Sequence, residues 1–144
     1  MATILTDEER EALLAEEAIA RTEEARADQE HSDLCLKLRS QYRKELGKEG
    51  QAFELVNEAN KGGVGPIVLK KGTAVASKVW EQKCAKTEGL PDEADQFQFI
   101  KDMVVFPERS VFGPIAVEYP QLRLACVAAA QRLYGFEAKV LRKK

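Results

Sequence analysis

The chain has 144 residues, 44% hydrophobic and 32% charged, with a formal net charge of −2. That length suits one domain with its own core, and no apolar run reaches the roughly 18 residues a membrane-spanning helix needs. The start is acidic and has no apolar signal core, which argues against secretion. Cys35, Cys84 and Cys126 are odd in number and far apart, a pattern that predicts reduced thiols in a cytoplasmic protein, not a disulfide framework or zinc site.

The near-neutral total hides an asymmetry. Residues 1–33 carry eleven acids against three bases, a charge of −8, so the remainder carries +6. Such an arm is most simply a solvated helix; the alternatives are that it folds back on the basic body or meets a basic partner. Thr6-Asp7-Glu8-Glu9 is a capping box that opens a helix. No Gly or Pro follows before Gly47, so residues 7–46 are expected as one long helix or two stacked ones. Its apolar face is thin until Leu34, Leu38, Tyr42 and Leu46, each four apart, with Cys35 beside them. The alternation over 34–38 also fits a strand. Residues 7–33 bury little alone, so this stretch is expected to be exposed, frayed or packed on another chain.

Phe53–Val56 and Pro66–Leu69 are β-prone runs joined by a loop rich in Asn and Gly, which predicts a hairpin. A helix follows from Gly72-Thr73 to about Thr87, with Val75, Val79, Trp80 and Cys84 assigned to one side. Gly89-Leu90-Pro91 breaks it. Asp92 caps the next helix, expected to carry Phe97, Ile100, Val104 and Val105 up to Pro107. In the segment 108–118, Gly113-Pro114 is expected to kink a helix or reduce it to a turn. Pro120 suits the first position of a last helix and Gly135 its C-terminal stop. With Leu122, Cys126, Ala129 and Leu133 on one stripe and Leu124, Val127 and Ala128 near another, that helix belongs in the core. The expected fold is α+β and mostly helical: an acidic N-terminal helical arm, residues 1–46, and an α+β body, residues 47–144. The body holds a hairpin at about 51–71 and a C-terminal helical cluster at about 73–135.

Little here suggests catalysis. His31, the single histidine, reads as a surface helix residue with no serine or cysteine arranged around it. Lys83 and Lys86 flank Cys84 and can lower its pKa, yet no base accompanies it. Gly62-Gly63-Val64-Gly65-Pro66 precedes a strand and lacks the Lys-Ser/Thr of a phosphate loop. No catalytic residue, metal set or cofactor is assigned. Lys70, Lys71, Lys78, Lys83 and Lys86 around Trp80 make a basic strip, but interleaved acids and sparse arginine argue against nucleic acid. Phe97, Phe99, Phe106, Phe112 and Tyr119 are too dense for all to vanish into so small a core. Phe97 and Phe99, two apart on a helix, must point different ways. With Trp80 these five form the candidate partner-binding set, suited to an amphipathic helix.

The sequence over residues 50–135 resembles the tail assembly chaperones of long-tailed bacteriophages. That family often shows a VVYP-type sequence, a spacer, and a YPGL-type sequence opening the last helix. The matches are Val104 to Pro107 and Glu118 to Leu122, with Gln121 where a glycine is common. The resemblance implies a non-enzymatic protein of the infected host's cytoplasm that binds the tape measure protein. It would keep that helical chain soluble until tail tube subunits polymerise around it. It also implies a longer form made by frameshifting, with Lys143-Lys144 as a site for a slippery codon run. The alternative is a structural or adaptor subunit, of a virion or connector, that self-associates through its N-terminal helix; a DNA-associated regulator is the weakest reading.

Overall fold

The computed structural model describes residues 4–135; the tail after Gly135, Lys143-Lys144 included, for which a partly loose conformation is expected from sequence, lies outside them. Helix α1 (Asp7–Gly47) is followed by strands β1 (Phe53–Val56) and β2 (Ile67–Lys70), and by helices α2 (Ala74–Lys86) and α3 (Glu93–Ile100). Strand β3 (Val104–Phe106) and helices α4 (Arg109–Glu118) and α5 (Pro120–Leu133) complete the described chain. The fold is thus α+β and mostly helical, with the long N-terminal helix expected.

Local chemistry sets the starts of the helices. The Thr6 hydroxyl accepts from the Glu9 amide at 3.1 Å, and Glu9 accepts from the Thr6 amide at 3.2 Å. Hydrogen bonding to its carboxyl from the Thr6 side chain, and then from the Thr6 amide, holds the exposed Glu9 below its ordinary pKa. Thr73 and Asp92 cap α2 and α3 in the same manner, accepting from Ala76 and Asp95. α1 is a single continuous helix, and residues 34–38 belong to it, not to a strand.

The three strands form one antiparallel sheet in the order β1-β2-β3. Ile67, Val68 and Leu69 of the central strand are completely buried, because both faces of the sheet are covered. Successive side chains point to opposite faces. Ile67 and Leu69 enter the main core with Trp80, Ile100, Phe112, Cys126 and Val127, while Val68 meets Leu38, Tyr42 and Leu46 of α1. The sheet is therefore a middle layer between α1 and the cluster α2–α5. Residues 31–46 of α1 supply that outer layer. Residues 4–30 are exposed throughout, so within the helical arm expected over 1–46 only the last turns pack on the sheet.

Three further expectations are corrected. Val104 and Val105 are not helical: α3 stops at Ile100 and the chain turns to place β3 against β2, with Val68 opposite Phe106 and Leu69 opposite Val104. β-branched residues gain more from that pairing than from another helical turn. Gly113-Pro114 does not reduce α4 to a turn; the helix runs through Pro114. Of the two outcomes expected, the turn is thereby ruled out: proline removes a backbone donor and crowds the carbonyl four residues earlier, yet Phe112 and Ala116, buried on either side of it, hold the helix in place. Finally, Val75 and Val79 do not share the side of Trp80. They are exposed while Trp80 is buried, since consecutive helical residues diverge by about 100°.

Candidate functional site

Exposed valines mark two hollows on the helical cluster. α2 and α3 run side by side, and Lys83 Nζ donates to Asp95 Oδ1 at 2.7 Å across them. Between them is a cleft of about 240 Å³ with an apolar side of Val75, Val79, Trp80 and Phe99 and a polar side that includes Lys83, Asp95 and Asp102. The indole and the Phe99 ring stack at 4.4 Å with an interplanar angle of 4°. Tyr134 extends the stack, its ring 5.9 Å from Phe99, and its hydroxyl donates to the Thr73 carbonyl at 2.9 Å. Val75 is 70% exposed and Val79 41% exposed, so the cleft has a buried aromatic floor and an apolar rim.

A second hollow, about 400 Å³, is lined by Ala94, Phe97, Ala116, Val117 and Arg123. Val117 is 68% exposed. Phe97 stacks on Phe112 at 6.2 Å, so Phe97 and Phe99 do turn to different neighbours. Beneath this hollow lies a buried polar network. Arg123 Nε donates to Gln96 Oε1 at 2.9 Å and Arg123 Nη1 to the Ala116 carbonyl at 3.0 Å. Gln96 Nε2 in turn donates to the Pro91 carbonyl at 2.8 Å, and Glu93 approaches the guanidinium at 3.4 Å. The network locks α3, α4 and α5 together and fixes the walls of the hollow.

The six candidate aromatics do not form one patch. Trp80, Phe99 and Phe112 are buried and so are not side chains freely offered to a partner; Trp80 and Phe99 floor the α2–α3 cleft, whereas Phe112 lies in the core against Phe97. Phe97 is half-buried in the second hollow. Tyr119 is half-buried in a third with Gly62, Pro120 and Leu122. There Gly62, at φ +71°, is required: a Cβ would sit 2.8 Å from the Tyr119 ring. Phe106 packs toward α1 with Phe53 and Leu55. The valine rims and the Arg123 network escaped the sequence reading. A signal for the second was present, since Arg123 stands among Leu122, Cys126, Val127 and Ala130 on the apolar arc of α5.

Among the described residues the thiols are all shifted toward the protonated form. His31 is buried, not on the surface as expected; its Nε2 lies 2.9 Å from the Glu58 carbonyl and 3.5 Å from Cys35 Sγ. A carbonyl only accepts, so Nε2 carries the proton in this bond. The Cys84 thiol is pushed up by desolvation and then by Glu81, opposite to the lowering expected from its lysines. Desolvation also raises Cys35 and takes Cys126 to about 12. All three are free thiols. The lysine strip lacks an exposed aromatic because Trp80 is buried, and Lys83 is engaged by Asp95. Among the described residues no group of three His, Cys, Asp or Glu is placed to hold a metal ion, and no helix is long and apolar enough to cross a membrane. Comparison with known proteins returned no matching family model, no similar curated protein and no similar solved structure.

Proposed function

We propose that this chain is a non-enzymatic binding protein of the phage tail assembly chaperone type, acting in the host cytoplasm on a tape measure protein. The observation that supports this most is the cleft between α2 and α3. Its floor is apolar and aromatic, its rim carries exposed Val75 and Val79, and its form suits the apolar stripe of a partner helix. Binding would be reversible, since the groove is small against a standard interface of about 800 Å² per partner. Several grooves engaging successive stretches of one long client would compensate through effective concentration.

Co-expression with the tape measure protein of the same genome tests the proposal. The expected result is that the client moves to the soluble fraction and co-purifies with this chain. Val75→Asp/Val79→Asp should abolish that rescue while leaving the fold intact. A client that stays insoluble beside abundant soluble chain refutes the reading. Retention on heparin that disappears at modest salt would favour the lysine strip and nucleic acid instead.

The second reading, a structural or adaptor subunit, draws on a different observation: residues 4–30 are exposed throughout. A subunit that persists in purified virions would favour it over the chaperone.

A further inference from the structure

The part of α1 that is exposed throughout is a helix of residues 7–30, about 36 Å long. Isolated helices derive little stability from propensity alone. A continuous helix of this length, still helical where the body no longer supports it, raises the question of what covers it. The answer is written in the placement of its residues about one centre, Ala25.

Helical residues advance by about 100° each. On that basis Leu14, Ala18, Ala25, Ser32 and Leu36 fall within one arc of α1. Leu14 and Leu36 stand eleven residues before and after Ala25, and Ala18 and Ser32 stand seven before and after it. Leu14 is 57% and Leu36 64% exposed, and Ser32 is exposed too. This arc is turned away from the one holding Cys35, Leu38, Tyr42 and Leu46, which packs on the body. A stripe that reads the same in both directions from its midpoint matches itself when a second copy is laid alongside in the opposite sense.

Charge follows the same symmetry. Residues 1–33 carry −8, whereas residues 34–48 carry five bases (Lys37, Arg39, Arg43, Lys44, Lys48) against Glu45. On the arc itself Asp7 and Arg43 are each eighteen residues from Ala25, and Glu11 and Arg39 each fourteen. In an antiparallel pair Asp7 of each copy meets Arg43 of the other, and Glu11 meets Arg39. Arg43 is exposed, and Arg39 is half-exposed beside Glu58, with which it forms an ion pair. A parallel pair would instead set the −8 segments against one another, so like charges oppose that arrangement.

We infer that α1 pairs with α1 of a second copy of this chain, antiparallel and centred on Ala25, through the stripe Leu14–Leu36 with acid-to-base contacts at both ends. The overlap from residue 7 to 43 is about 55 Å. Beside Ala25 the pairing sets Arg21 of each copy, four residues before it, against Gln29 of the other, four residues after it, with the small Ala18 and Ser32 flanking them. Two bodies would then sit at opposite ends of a paired rod with their α2–α3 clefts free. Leu13 and Ile19 fall outside the arc and stay uncovered. The inference sharpens the self-association reading of the N-terminal helix and is independent of whether the clefts bind a tape measure protein.

Sedimentation and spin-label distances on the full chain test it. The chain weighs 16.1 kDa, so the expected species is a dimer near twice that mass, dissociating as salt rises and screens the end contacts. Asp7→Arg/Glu11→Arg alone should be monomeric, and so should Arg39→Glu/Arg43→Glu alone. An equimolar mixture of the two should restore a dimer, which shows that neither variant fails through misfolding. With Cys84→Ser as background, a label at Leu14→Cys should lie about 33 Å from its copy, because 22 residues of helix separate the two positions. A label at Ala25→Cys should lie within about 10 Å of its copy, the packing distance of two helices. A monomer at every concentration overturns both this inference and the self-association reading. A short distance at Leu14→Cys, the mark of a parallel pair, overturns this inference and leaves self-association standing.

Discussion

Truncating Arg123 should be among the most damaging substitutions on α5, although the side chain is charged. Arg123→Ala deprives two buried acceptors, Gln96 Oε1 and the Ala116 carbonyl, of their donors. Each buried acceptor left dry costs about 1–3 kcal/mol. The hollow beside the guanidinium is open on one side, so water reaches part of the vacated space and lowers the cost. Glu93 is 61% exposed, and its loss of a partner adds little. The expected destabilisation is about 2–4 kcal/mol, a large share of the 5–15 kcal/mol that holds an ordinary domain. It should appear as a fall of about 5–15 °C in Tm. Trp80 is the single tryptophan and is buried, so its fluorescence reports urea unfolding directly. Arg123→Met keeps much of the apolar stem and should recover less than half of the loss, because the acceptors remain unpaired. A double-mutant cycle with Gln96→Ala should return a coupling of at least about 0.5 kcal/mol. An Arg123→Ala chain within about 0.5 kcal/mol of the parent, with no coupling to Gln96, refutes the reasoning.

Other outcomes follow from the same packing. Leu69→Ala, at a completely buried position, should cost about 2–5 kcal/mol. Val68→Asp should free α1 from the sheet and make residues 31–46 susceptible to limited proteolysis while the α2–α5 cluster resists; uniform digestion would contradict the layered arrangement. Gly72→Ala places a Cβ 2.5 Å from the Tyr134 hydroxyl and should cost about as much as Tyr134→Phe, roughly 1 kcal/mol for the displaced hydrogen bond. Cys126 has its folded pKa raised from 9.0 to about 12, so the unfolded chain loses its proton first. Its stabilising contribution is complete below pH 9 and declines as pH rises toward 12, by about 1.4 kcal/mol per unit. Cys126→Ala should flatten that part of the stability profile, and an unchanged slope would assign the decline to Cys35, Cys84, Tyr42 and Tyr134, whose pKa values are also raised. Thiol titration of the native chain should modify Cys84 first, with Cys35 and Cys126 reacting only after denaturant is added.

How far the sequence carries depends on whether a feature is local. The capping box at Thr6, the caps at Thr73 and Asp92, Pro120 at the head of α5 and the hairpin spanning 53–70 all rest on neighbouring residues. Hydrogen bonds within a turn, or a fixed φ, decide them, and no distant partner intervenes. The pattern Leu34-Leu38-Tyr42-Leu46 likewise announced a buried face, and the β-prone run Pro66–Leu69 a strand of the hairpin, though not that both of its faces would be covered. The groove residues were harder to read. α2 has apolar residues on two sides, and periodicity alone cannot say which side the core takes, so Val75 and Val79 were assigned inward with Trp80.

β3 shows the limit most clearly. Val104–Phe106 follow a helix and lack a turn signal before them, and their strand exists only because β2, more than thirty residues earlier, offers an unpaired edge. The burial of His31 against Glu58 and the bond from Arg123 to Gln96 each join residues twenty-seven apart; no local rule connects them. By itself, then, the sequence determined the helices, their caps, the hairpin and the division of charge along α1, because short-range sterics and hydrogen bonding govern those. Only the tertiary structure decided which aromatics are core, which valines rim a cleft, and where buried polar groups find partners, because burial is a property of the assembled layers.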